Sequence, residues 1–155
     1  MTKVLLIGQD KGGTGKTLIC RGLCEILPGA PVIEIDSSPR MIELGKRVKF
    51  FQMRADRDEI ERTGGAVSRS EFDPVINAIA SSTLPTVVDI GANTGASLLA
   101  VIAGLTDDVT AAGVEFGLLV VTTAEPGAVA EVPKLFAIAA PCRRYFAGRR
   151  IGLDR

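Results

Sequence analysis

Short continuous apolar runs alternate along this chain with stretches in which apolar residues recur every three or four positions. Val4-Leu5-Leu6-Ile7 is such a run, ending in glycines, and reads as a strand buried on both faces of a parallel sheet. From Lys16 to Leu27 the residues Ile19, Cys20, Leu23, Ile26 and Leu27 fall at helical spacing, and Pro28-Gly29 supplies a stop. A second strand is expected over residues 31–36, after which Ser37-Ser38-Pro39 turns into a short helix through Leu44. Residues 48–53, with charged flanks, suit an edge strand. Asp73-Pro74 reads as an N-cap followed by proline at the first helical position, and Val75, Ile76, Ile79 and Ala80 give the helix to about Ser82 a buried stripe. Thr86-Val87-Val88-Asp89-Ile90 is a further buried strand, followed by a turn over 91–95 and a helix from about Ala96 to Leu105. The last clear strand lies within 114–123, and a helix over 126–139 is expected to kink at Pro133.

Strands alternating with helices at this spacing imply right-handed crossovers, hence a three-layer α/β domain with a mainly parallel sheet. The expected domain spans residues 1–140. The stretch 54–69 is rich in charge and contains Gly64-Gly65, so it reads as a solvated helix or loop. Beyond Pro141, Arg143, Arg144, Arg149, Arg150 and Arg155 crowd a tail with Gly148 and Gly152. Residues 141–155 are therefore expected to be a flexible basic tail.

Composition narrows the chemistry. The 155 residues suffice for one core, 46% are apolar, and 18 Lys+Arg balance 18 Asp+Glu, so no global field points to nucleic acid. No apolar run reaches the roughly 18 to 20 residues that span a bilayer. The N-terminus has no cleavage-site pattern, so a cytoplasmic protein without stable membrane insertion is expected. Cys20, Cys24 and Cys142 match no zinc-finger spacing, and small buried cysteines are the common case. With no histidine in the chain, Ser-His and Cys-His nucleophile pairs are excluded.

What remains is phosphate chemistry. Between the first strand and the first helix lies Lys11-Gly12-Gly13-Thr14-Gly15-Lys16-Thr17. A loop of small residues lets backbone N–H groups converge on a polyphosphate where a helix presents its positive end. Gly12, Gly13, Thr14 and Gly15 supply the loop, Lys16 a point charge for the β- and γ-phosphates, and Thr17 a hydroxyl for Mg²⁺. The pattern G-x-x-x-x-G-K-[ST] calls for glycine where this chain has Asp10. The variant K-G-G-x-G-K-[ST] is matched in full, and in it the segment resembles the deviant Walker A motif of the ParA/MinD family of ATPases.

That resemblance implies a P-loop NTPase fold, ATP and Mg²⁺ as ligands, and ATPase activity. In that family the early lysine, here Lys11, reaches across a dimer interface to the partner's nucleotide, which implies an ATP-dependent homodimer. A local role for Lys11, paired with Asp10 or with its own subunit's phosphates, is the alternative. Carboxylates for magnesium and the attacking water belong at the C-terminal ends of strands, where Asp36 and Asp89 stand. Asp89-Ile90-Gly91 is similar to the family's Walker B segment, whose aspartate holds Mg²⁺ through water. Glu34-Ile35-Asp36 is similar to its switch segment D-x-D-P, whose second aspartate positions the hydrolytic water. Here glutamate replaces the first aspartate and Pro39 comes two places late. Asn93 and Thr94 are candidates for the γ-phosphate region or for a turn, and residues 122–126 resemble the family's strand end near the nucleotide.

Family members are longer and continue into further strands, one of which contacts adenine. No strand is expected after Ala139, so the C-terminal part is expected to be lacking and base selectivity is not legible. Three functions follow. The first is a switch that dimerises on ATP, binds a protein or DNA-bound partner in plasmid partition or mobilisation, and is reset by hydrolysis to ADP. The second is a small-molecule kinase or ATP-dependent ligase related to dethiobiotin synthetase, which has no need of Lys11. The third, favoured by the altered switch segment, is a nucleotide-binding adaptor with little turnover.

Overall fold

The computed structural model describes residues 1–54, 62, 66–140 and 142–148. Its centre is a six-stranded sheet in the order β3-β2-β4-β1-β5-β6, with every neighbouring pair parallel. The strands are β1 (Thr2–Gly8), β2 (Val32–Asp36), β3 (Val48–Gln52), β4 (Thr86–Ile90), β5 (Val114–Thr122) and β6 (Arg143–Gly148). The helices are α1 (Lys16–Ile26), α2 (Ala66–Ala80), α3 (Gly95–Gly104), α4 (Thr106–Ala111) and α5 (Pro126–Ile138), with a 3₁₀ segment at Ile42–Arg47. The three-layer α/β expectation holds.

Strand alternation divides the core in two. Leu6, Ile33, Val88 and Leu118 face one side, where Val75 and Ile79 of α2, Leu98 and Leu99 of α3 and Leu135 of α5 complete the larger cluster. Ile7, Val32, Val87 and Val121 face the other side, against Cys20 and Cys24 of α1 and Met41. β3 lies at an edge, as its charged flanks suggest. Among the described residues no helix is long and apolar enough to cross a membrane.

Three expectations are corrected. α2 does not begin at Asp73-Pro74; it starts at Ala66 and carries Pro74 inside. Upstream of the proline Phe72 is buried in the core, and burying such a side chain is worth about 1.5–3 kcal/mol. That is comparable with the ~3 kcal/mol an interior proline costs. A short helix, α4, follows α3, with Asp107 and Asp108 in its first turn where the helix dipole favours negative charge. The third correction concerns the basic tail. Arg143–Gly148 is a strand in register with Gly117–Thr122 of β5, and Arg143 Nε donates to Glu115 Oε1 at 2.5 Å. A strand therefore does follow Ala139. Of the remaining tail, residues 141 and 149–155 lie outside the described residues, as do 55–61 and 63–65 of the charged stretch.

The strand order puts the C-terminal ends of β1, β2 and β4 side by side, and this edge carries the loop at residues 9–15. Two backbones approach closely there at Gly91, whose N–H donates to Ile35 O at 2.6 Å. A Cβ on Gly91 would meet Ile35 O at 2.8 Å and Asp36 Cα at 3.1 Å, both backbone atoms. Gly91→Ala is therefore expected to destabilise the fold by about 1–3 kcal/mol, measured by urea unfolding; an unchanged midpoint would contradict the close packing of β2 on β4.

Candidate functional site

The loop after β1 can take its path because Gly13 and Gly15 have φ of 74° and 96°, a region costly for residues with a Cβ. Gly15 stands immediately before α1, so the first free N–H groups of that helix open onto the loop. Residues 12–18, Asp36, Arg40 and Gly91 line a hollow of about 320 Å³ there. A larger hollow, about 410 Å³, lies at the opposite ends of β1, β4 and β5 among Lys3, Leu5, Pro85 and Leu119. The larger one carries no buried charged group, so its size does not make it the better site.

Beneath the loop, charge is buried. Lys16 is only 7% exposed, and its amine reaches Lys11 O at 3.4 Å. Burial lowers its pKa, an effect opposed by Asp89, Asp10 and Asp36. Thr17 Oγ1 donates to Asp89 Oδ2 at 2.9 Å. Asp89 Oδ1 is buried without a partner. Burial raises the Asp89 pKa, and the Thr17 bond and the Lys16 charge pull it down only in part. Thr14 Oγ1 is a second buried oxygen without a partner. Lys16 and Thr17, from one segment of sequence, and Asp89, 72 residues beyond Thr17, are thus brought to one place.

Glu34 stands in register beside Asp89, on neighbouring strands. Its side chain is buried, Oε1 accepts from Arg40 N at 2.6 Å, and Oε2 has no partner. Burial raises the Glu34 pKa against the opposing N–H bonds from Arg40 and Met41. The motif resemblance marks Glu34 only as a departure from D-x-D-P; in the fold it anchors the turn after β2. A glutamate reaches one methylene further than an aspartate, and the turn it holds is the one whose proline comes late.

Asp36, at the end of β2, is already engaged. Oδ1 accepts from Ser37 N at 2.6 Å and Oδ2 from Arg40 Nε at 2.8 Å. It nevertheless lines the same hollow as the loop.

Lys11 does not pair with Asp10. Its amine is 2.7 Å from Glu125 Oε1, at the start of α5. Asp10 instead accepts from Gly95 N at 2.8 Å and Ala96 N at 3.3 Å, capping α3 from 85 residues away. Thr94, the residue in the cap position, makes no side-chain capping bond. Gln9 is buried, donates from Nε2 to Ala128 O at 3.0 Å and accepts from Lys11 N at 3.2 Å. Residues 122–126 therefore do lead to the loop. Asn93, at φ 62°, is a left-handed turn residue whose N–H donates to Asp10 O. Gln9 and Arg40 carry no signal in the sequence by themselves, and Glu125 only as part of the 122–126 stretch, because their partners are set by the tertiary fold.

All three cysteines are free and buried. Burial raises the thiol pKa of Cys20, with Asp89 adding to it, and of Cys142. Among the described residues no group of three or more His, Cys, Asp or Glu side chains can hold a metal ion unaided. Mg²⁺ needs no such group, because it is commonly held by one or two protein ligands together with substrate phosphates and water.

The buried Glu34 has a consequence for stability. Its folded pKa lies above the ordinary carboxylate value, so the folded state holds the proton more tightly. Stability falls as pH rises from that ordinary value through the raised one. Glu34→Gln keeps an oxygen for Arg40 N and removes the buried charge. It is expected to raise Tm by a few degrees at pH 8, with the gain vanishing near pH 4; a lower Tm at pH 8 would show that the charge itself is required.

No protein-family model matches the chain, and comparison with curated proteins finds no match.

Proposed function

We propose that this chain is a nucleotide-dependent switch of the ParA/MinD type, which binds ATP with Mg²⁺ at residues 11–17 and dimerises in that state. The observation that carries this reading is the buried Lys16 ammonium beneath a glycine-bent loop at the start of α1. Its charge is left under-solvated, and an anion in the adjoining hollow would answer it. A triphosphate offers the right charge, and a hollow of about 320 Å³ falls within the usual range for small-molecule sites.

The chain's own groups then divide the work. Backbone N–H groups of residues 12–17 and the positive end of α1 receive phosphate oxygens, and Lys16 neutralises charge at the β- and γ-positions. Thr17 and Asp89 are the residues that would hold Mg²⁺, and the unpartnered Asp89 Oδ1 fits a cation or its hydration water. Magnesium, when bound, draws charge from the phosphates and so favours their transfer. Asp36 is the group to orient water, but only after sharing the bonds it makes to Ser37 and Arg40. Lys11, half exposed at the rim, would leave its pairing with Glu125 to reach a neighbour's phosphates. A protein or DNA-bound partner, as in plasmid partition or mobilisation, would then be bound by the ATP-loaded dimer and released after hydrolysis to ADP.

A second reading keeps nucleotide binding and drops turnover. The engaged state of Asp36 favours it, since both carboxylate oxygens are occupied. A small-molecule kinase or ligase gains nothing from Lys11 and is the weaker alternative.

Sedimentation velocity with and without Mg²⁺-ATP separates these readings. The wild type is expected to shift from monomer to dimer with ATP, and Lys11→Ala to remain monomeric while still binding nucleotide. Normal dimerisation of Lys11→Ala would refute the assembly mechanism. If Asp36 orients water, Asp36→Ala should lower phosphate release by about 100-fold or more; wild-type release already at background would favour the adaptor.

A further inference from the structure

We infer that Glu125 is a positioning residue that holds Lys11 on its own subunit until a partner's nucleotide arrives, and so sets how readily two copies assemble. This rests on the role of Lys11 proposed above.

The Lys11 amine sits where it should not stay by itself. Glu125 is the residue in the cap position of α5, and the helix begins at Pro126. A Cβ on Gly127 would be 3.8 Å from Lys11 Nζ, so the amine lies against the first turn of that helix. The N-terminal end of a helix carries partial positive charge and repels a cation. Glu125 Oε1, 2.7 Å from the amine, is what reverses that repulsion.

The surrounding bonds fix the pair in place without burying it. Buried Gln9 links the Lys11 N–H to Ala128 O, tying the base of the lysine to α5. Glu125 N in turn donates to Thr123 Oγ1 at 3.3 Å, which orients the start of the helix. Both charged side chains remain about half exposed, at 44% and 54%. Exposed pairs of this kind are weak and screened by salt. A weak pair is what a reversible restraint requires: it keeps the lysine from wandering, yet a triphosphate with several negative charges outcompetes one carboxylate. Glu125 thereby makes an unproductive position the resting one.

Formation of a symmetric dimer frees two lysines, so the effect of the restraint on the dimer constant enters squared. A factor of roughly 1.4 to five per exposed pair becomes about two- to twenty-five-fold in the dimer dissociation constant.

The test is sedimentation equilibrium of the full chain with Mg²⁺-ATP, comparing wild type, Glu125→Gln, Lys11→Ala and Lys11→Ala/Glu125→Gln. Alongside it, the acylation rate of Lys11 in the nucleotide-free monomer is measured by mass spectrometry against the other lysines. Glu125→Gln is expected to tighten the dimer by the factor above, with the gap narrowing at high salt, and to raise Lys11 acylation. The double variant should lose the gain. Two results overturn the restraint while leaving the assembly mechanism intact. One is a wild type that dimerises through Lys11 and a Glu125→Gln variant that dimerises no better; the other is an equal gain in the Lys11→Ala background. A wild type that binds Mg²⁺-ATP but never dimerises overturns the assembly mechanism and the restraint together. Should Glu125→Gln fail to fold, Glu125→Asp shortens the arm and must give a smaller change in the same direction; no change or the opposite sign overturns the restraint.

Discussion

Removing an ammonium group from water costs several kcal/mol unless nearby charges and dipoles replace its hydration. In this fold Lys16 is placed under that penalty at the entrance to α1. Asp89, Asp10 and Asp36 offset only part of it. Asp89 is in the complementary position, a buried carboxylate with one oxygen lacking a partner. A stable arrangement of this kind needs rigid surroundings, because any slack would let water or a surface carboxylate quench the lysine. The close packing of β2 on β4 at Gly91 supplies one such constraint.

Other ties run through residues that look incidental in sequence. Asp10, which breaks the stricter glycine pattern, spends its carboxylate on the N-terminus of α3 and thereby fixes the turn after β4 to the loop after β1. Gln9 fastens the same loop to α5. Glu34 holds the turn after β2 through Arg40 N, and Arg40 in turn holds Asp36. The loop, the two carboxylate-bearing strand ends and the starts of α3 and α5 therefore form one connected frame. These bonds join the loop that carries Lys11 to α3 and α5, and the turn after β2 to Asp36.

Much of this was legible from local pattern. β1, β2, β4 and β5 announce themselves because a strand buried on both faces is largely apolar, with Glu34 and Asp89 as buried exceptions. The loop is legible because positive φ at Gly13 and Gly15 demands glycine. Asp89 could be chosen from its place at a strand end, and it does lie against Thr17. The failures have physical reasons. β6 is an edge strand with arginines and a glycine, and register with β5 organises it where its composition does not. The start of α2 was masked by Asp73-Pro74, a local start signal that the burial of Phe72 overrides. The stretch with Glu125 could be singled out, but its pairing with Lys11 could not, because the two lie 114 residues apart (125 − 11) and meet only through the fold.

The central claim is that the charge beneath the loop is matched to a triphosphate. Isothermal titration of the folded wild type with ATP in Mg²⁺, set beside Lys16→Ala, tests it most directly. The account predicts one site per chain, tighter for ATP than for AMP, and lost in Lys16→Ala although that variant folds. Absence of heat with ATP, ADP and GTP alike, or undiminished binding by Lys16→Ala, would contradict it.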